Sequence, residues 1–258
     1  IAGNSTITIN NAKPDNLRFI RNHFVNGSIS INQANTTYTG YLFEGNIFDN
    51  ASVDANGTST YQNFIFQNNS FFENGTVRDG NFNGFSNSIN VLFNHNLWYG
   101  AGSGVRNIAT SNNNRFLTFV NNIFVRRNAS SSISSSTYNN NITFYPAGSA
   151  APAIPWTANS NVDGGGNVDN QDPQMANQAA VNAGTASSIS DFTIVAGPAN
   201  NTGSDGKDMG FFYDAAGSLN WANSRNSRLP RIFSMNVIAP TVPAGGNVTI
   251  NVDARISN

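Results

Sequence analysis

Cysteine is absent from the 258 residues, so no disulfide, thiolate metal ligand or cysteine nucleophile is available. Charge is scarce as well. Charged residues are 10% of the chain, and 13 Lys and Arg against 14 Asp and Glu leave a formal net charge of −1. With no basic patch to meet phosphates, nucleic acid is excluded as an expected partner. Lysine occurs only at 13 and 207 and histidine only at 23 and 95, so no two-His metal site is expected, and no cofactor. No apolar run approaches the ~18 residues of a spanning helix. Between 5 and 145 no 3.6-residue apolar period occurs, which leaves strands and turns.

What the chain has in excess is asparagine, at 46 positions, and a motif built on it: an aromatic residue, Asn three places on, and a second aromatic two places later. It reads Phe19-Asn22-Phe24, Phe43-Asn46-Phe48, Phe66-Asn69-Phe71, Phe93-Asn96-Trp98 and Phe119-Asn122-Phe124. The leading Phe recurs after 24, 23, 27 and 26 residues, the period of a stacked repeat. A second apolar position follows some ten residues after the leading Phe, at Ile29 and Ile31, Val53 and Val77. A unit this small cannot bury its own apolar face, so each Phe is expected to lie on the Phe of the unit before. Each buried Phe then contributes roughly 1.5–3 kcal/mol. Asn tolerates left-handed backbone, and identical amides stacked unit on unit form a hydrogen-bonded ladder, so the Asn is expected at the corner.

This pattern, with Asn-Asn at 68–69 and 121–122, resembles the right-handed parallel β-helix of the pectate-lyase-like superfamily. A later series, Asp172-Pro173-Gln174-Met175, Asp191-Phe192-Thr193-Ile194, Ala196-Gly197-Pro198-Ala199 and Asp208-Met209-Gly210-Phe211, is similar to the closing segment of secreted bacterial β-helix proteins. It departs from that pattern in lacking a Ser before Pro198 and in reading Met-Gly-Phe where Ile-Gly-Ala is usual. The resemblance implies an all-β, right-handed parallel β-helix, exported or displayed at a bacterial cell surface. It leaves activity open, because the superfamily holds lyases, hydrolases, epimerases and inert adhesins.

The solenoid is expected over residues 1–228, with 145–228 at its far end, wrapped by loops broken at Pro152, Pro155, Gly164-Gly165-Gly166 and Gly197-Pro198. The Ser-rich run 129–136 reads as a strand-containing loop. Residues 229–258 alternate cleanly at Phe233, Met235 and Val237 and again at Val248, Ile250 and Val252, which predicts a terminal β-strand pair, similar to strands in surface proteins of Bacteroidetes-type bacteria. Strand-like Ser5–Ile9 begins with no amphipathic helix ahead of it, so another chain or upstream sequence is expected to cover residues 1–16.

Aligned on the leading Phe, the units put Arg21, Gly45, Asn68, His95 and Asn121 in one column and Ile20, Glu44, Gln67, Asn94 and Val120 in the next. If one such face meets solvent, Arg21, Glu44, Asp49, Glu73 and His95 share a groove, and Phe72, Trp98 or Tyr99 stacks on a sugar ring. Arg126-Arg127 is read as a solvated strand edge. No unit of the repeat places three acids together for Ca²⁺, which the lyases of this superfamily use beside an Arg or Lys base. Hydrolases of the fold need clustered acids, and the sequence-near ones, Asp163, Asp169 and Asp172 with Asp205 and Asp208, sit in turn-like contexts. The expectation is a binding or structural module that contacts a polysaccharide or another surface protein. A polysaccharide lyase or glycoside hydrolase is the rival, and a subunit of a surface filament the third reading.

Overall fold

Strands of two to four residues alternate with sharp corners, and each circuit of the chain lays its strands directly on those of the circuit before. The computed structural model describes residues 6–10, 14–73, 80–110 and 114–211, with the backbone of 231–237 and 250–255. About six turns stack as a parallel β-solenoid.

Sheet one has seven strands: Arg18–Ile20, Leu42–Glu44, Ile65–Gln67, Val91–Asn94, Leu117–Val120, Thr137–Asn139 and Val162–Asp163. Sheet two has six: His23–Val25, Ile47–Asp49, Ser70–Glu73, Leu97–Gly100, Ile123–Val125 and Ile142–Phe144. Sheet three begins with Thr6–Ile9 and continues through Ser28–Ile31, Ser52–Ala55 and Phe82–Asn83, and sheet four holds Thr37–Thr39, Thr60–Gln62 and Asn87–Ile89. Every neighbour in these sheets pairs in parallel and in register, as Phe66 does with Phe43 on one side and Phe93 on the other. Val77 lies outside the described residues; Phe82 takes the place opposite Val53.

The register makes columns of rings. Phe19, Phe43, Phe66, Phe93, Phe119 and Tyr138 stack at centroid distances of 5.0, 4.4, 4.5, 4.9 and 4.7 Å. A second column runs Phe24, Phe48, Phe71, Trp98 and Phe124 at 4.8–5.1 Å. The motif also missed shorter columns, Tyr38 on Tyr61 at 5.9 Å and Tyr41 on Phe64 at 4.6 Å, because these rings carry no Asn at the spacing that marks the others.

Seven asparagines form the ladder, two more than the sequence motif marks. Asn22, Asn46, Asn69, Asn96, Asn122 and Asn141 each donate a backbone N–H to Oδ1 of the next rung at 2.9–3.0 Å, ending on Asn167. Their Nδ2 groups donate to the same oxygens at 2.9–3.2 Å. The other Nδ2 proton of Asn69 goes to the Phe43 carbonyl at 2.9 Å, so all four hydrogen-bonding capacities of this buried amide are used. Asn141 and Asn167 escaped the motif because Tyr138-Asn141-Thr143 closes on Thr, and Gly164 stands where a leading ring is expected.

The corner itself corrects one expectation. The left-handed residue is the one before each ladder Asn: Arg21 (φ 57°), Gly45 (63°), Asn68 (54°), His95 (52°), Asn121 (57°), Asn140 (50°) and Gly166 (69°). The ladder Asn bridges turns, and its predecessor makes the bend.

The far end is closed by Trp156, which joins the inner core with its ring 6.4 Å from that of Tyr138. Residues 172–211 are not at that end, as sequence had placed them; they lie along the outside of sheet two, over a second apolar cluster. The Ser-rich run contains the short strand Ile133–Ser134, as expected. Arg231–Val237 pairs antiparallel with Ile250–Arg255, as the alternation predicts, and residues 212–230 lie outside the described residues. So do 1–5 and 11–13, on which much of the expectation for residues 1–16 falls.

Candidate functional site

The outer flap, 172–211, positions the polar groups. It opens with a turn in which Gln174 N–H donates to the Asp172 carboxylate at 2.7 Å, then forms the helix Gln178–Ala183. Gly184 ends that helix at φ 75°, and a Cβ there would lie 2.3 Å from the Gly102 carbonyl oxygen, so only glycine permits the approach. Further on, the Asp191 carboxylate accepts the Ser187 and Ser188 N–H groups at 3.1 and 3.0 Å and shapes the 3-10 turn Ile189–Phe192. Val181, Phe192, Ala199 and Met209 point inward onto Leu97, Tyr99, Ile123 and Val125 of sheet two, which are buried by it.

Two arginines read as a solvated edge are in fact 1% and 0% exposed. Arg126 donates to the carbonyls of Val181, at 2.8 Å, and Asn182, and so holds the C-terminal end of the flap helix. Arg127 donates to Asn81 Oδ1 and the Asn107 carbonyl, each at 2.6 Å.

The corner between sheets one and two holds the flap's last loop. Left-handed backbone throws the side chains of His95, Asn121 and Asn140 outward, and each meets the loop. His95 Nε2 lies 3.1 Å from Asp205 Oδ2, Ser204 N–H donates to Asn121 Oδ1 at 2.7 Å, and Asn140 Nδ2 donates to the Thr202 carbonyl at 3.0 Å. Asn121 Nδ2 also lies 3.0 Å from His95 Nε2. His95 is 4% exposed, and burial pushes its pKa below the usual histidine range against the opposing pull of Asp205.

Beside this loop opens a recess of about 110 Å³ lined by Glu44, Gln67, Asn68, Asn94, His95, Asp205 and Lys207. Glu44, Gln67 and Asn94 sit opposite one another on successive strands of sheet one. The parallel row Leu42, Ile65 and Leu92, half-buried, faces outward beside them. A second recess, about 200 Å³, lies at the flap's opposite edge and is lined by Asp49, Phe72, Glu73, Tyr99, Ala101, Ala186 and Ser187.

The expected single groove is therefore two recesses. Glu44 and His95 share the first; Asp49, Phe72, Glu73 and Tyr99 share the second; Arg21 is exposed at the corner and lines neither. Trp98 cannot stack on a sugar, being fully buried between Phe71 and Phe124. Tyr99 is 1% exposed, since its hydroxyl accepts the Ala186 N–H at 3.1 Å and its ring meets Phe192 at 4.8 Å. Phe72 is half-buried against Phe192 at 5.4 Å. Asp205 and Lys207 were missed as site residues, because only the folded flap brings them to a strand more than 100 residues away. Among the described residues, no group of three His, Asp or Glu converges as a metal site, and no helix is long and apolar enough to cross a membrane. No protein-family model and no curated protein matches the chain.

Proposed function

We propose that the solenoid is a saccharide-binding module of an exported or cell-surface bacterial protein, and that its binding face is the outer side of sheet one. The observation that carries this reading is the in-register polar row Glu44, Gln67, Asn94, set beside the aliphatic row Leu42, Ile65, Leu92 and leading into the first recess. Turns of a parallel solenoid repeat at about 4.8 Å. An extended glycan lying along the rows thus meets roughly one polar and one apolar side chain per ring, the mixture that suits a sugar's hydroxyls and C–H faces. In the recess Glu44 and Asp205 face a single lysine, Lys207, with His95 kept neutral by burial. That balance favours a neutral chain over a uronate or sulfated one.

The test is a glycan array followed by calorimetry on the best neutral ligand. Gln67→Ala and Asn94→Ala are expected to weaken binding about tenfold each, roughly 1.4 kcal/mol, while Asp49→Ala in the other recess leaves it unchanged. Absence of binding to every glycan would overturn the reading. Glu44 and Asp205 in one recess favour a second reading, a glycoside hydrolase. Release of reducing ends, abolished by Glu44→Gln, is its signature.

A further inference from the structure

The corner that leads into sheet one is built from residues that tolerate left-handed backbone, with one exception. It runs Gly40 at φ 77°, Asn63 and Asn90 at 55°, Phe116 at 58° and Ser135 at 50°. Asn90 Nδ2 donates to Asn63 Oδ1 at 3.2 Å, so a third Asn would extend that chain, yet the next turn carries a phenyl ring. The backbone there is held from the turns on either side. Arg115 N–H donates to the Phe85 carbonyl at 3.0 Å, Asn114 N–H to the Ser132 carbonyl at 2.9 Å and Leu117 N–H to Ser136 Oγ at 3.1 Å. The left-handed strain is therefore imposed by the neighbouring turns, and burial does not offset it: among the described residues Phe116 is the only exposed aromatic side chain, at 56%, and no other ring packs against it. Strain held in place in this way collects at functional positions.

We infer that Phe116 is the stacking platform of the sheet-one face and selects an extended chain of all-equatorial pyranoses, the β-1,4-glucan type; this rests on the saccharide-binding reading above. Each corner residue stands two places before the aliphatic row, so Phe116 borders the face directly. Thr118 follows Leu92 in that row, and Val120 follows Asn94 in the polar row. At the corner after Val120, Asn121 Oδ1 accepts the Ser204 N–H of the flap's last loop, so on this turn the ring and the loop flank the face from opposite sides. Ile89, 49% exposed, ends the strand before Asn90 and adds apolar surface on the ring's side. The negative face of an aromatic ring attracts the weakly positive C–H groups of a sugar. A pyranose offers an unbroken C–H face on both sides only when its hydroxyls are equatorial. Binding thus accounts for a ring at a position where Asn suits the backbone better, a case of function opposing stability.

The probe is cellohexaose, titrated into the full chain by calorimetry. Saturable binding is expected, weakened about tenfold by Phe116→Asn and by Phe116→Leu, and kept within about twofold of the parent by Phe116→Tyr. Asn suits the left-handed corner, so the urea midpoint of Phe116→Asn is expected to rise while its affinity falls, which separates the loss of binding from a loss of fold. Proton NMR reads the stack itself: the sugar's C–H resonances are expected to move upfield on binding the parent chain and to stay in place with Phe116→Asn. Undiminished affinity in Phe116→Asn or Phe116→Leu, with Gln67→Ala and Asn94→Ala weakened, overturns the proposal and leaves the sheet-one face standing as the binding site. Binding of other neutral glycans without cellohexaose does the same. Absence of binding to every glycan overturns both readings.

Discussion

Asn69 gives both its backbone N–H and its side-chain amide to one atom, Oδ1 of Asn96, at 3.0 Å each. Both residues are fully buried, so the pair works where a lost partner is expensive. Asn69→Ala is expected to cost about 2–4 kcal/mol, since it strands the Phe43 carbonyl and both Asn46 donors while leaving a small void. Asn22→Ala, at the half-buried first rung, is expected to cost under about 1 kcal/mol. Urea titrations of the two variants measure the difference.

The ring columns make a parallel prediction. Phe66 lies 4.4 Å from Phe43 and 4.5 Å from Phe93, fully buried, and Phe66→Ala is expected to destabilise by about 3–5 kcal/mol. A thermal melt unchanged from the parent would contradict the stack.

Phe116 is the reverse case: 56% exposed, with φ at 58°, on a corner that neighbouring turns build with Asn63 and Asn90. A bulky residue there bears the left-handed penalty of roughly 1–2 kcal/mol. Phe116→Asn is expected to raise stability by about 0.5–1 kcal/mol, read as an increase in the urea midpoint.

Arg126 joins the flap to the solenoid through the Val181 and Asn182 carbonyls. Arg126→Met is expected to cost about 1.5–3 kcal/mol and to expose the flap to proteolysis between 178 and 192. Uniform cleavage along the whole chain would show instead that the solenoid and flap open together.

Burial holds the folded-state pKa of His95 below its unfolded value of about 6.5. As pH falls through that value the unfolded chain takes up a proton that the folded chain refuses, so stability is full above about pH 6.5 and declines below it. The slope is at most about 1.4 kcal/mol per pH unit, ending once the folded pKa is passed. His95→Gln is expected to remove this component, so the variant's stability falls less steeply than the parent's from pH 7 to pH 5.

Much of the fold was legible because its interactions are local and repeated. Phe66 and Asn69 are three residues apart, and each meets its counterpart one period away, so five copies of one spacing disclose strands, core and ladder together. The candidate site was only half legible. Glu44 and His95 stood in the right columns, but columns do not say which way a side chain faces once another segment covers it. Trp98 shows the limit within the motif itself: its alternation with Phe93 around the corner makes it an inward ring, not a surface one.

The sequence by itself determined the parallel solenoid, its inward aromatics and its asparagine rungs, because a periodic pattern must satisfy the same packing at every turn. Tertiary structure alone decided what the outside does. The flap 172–211 has no period and meets sheet two through single contacts between distant residues, such as Tyr99 with Ala186 and His95 with Asp205. Those contacts bury one expected sugar platform, divide one expected groove into two recesses, and bring Asp205 and Lys207 to the first of them. A contact made once, between segments about 90 to 110 residues apart, leaves no repeat in the sequence from which to read it.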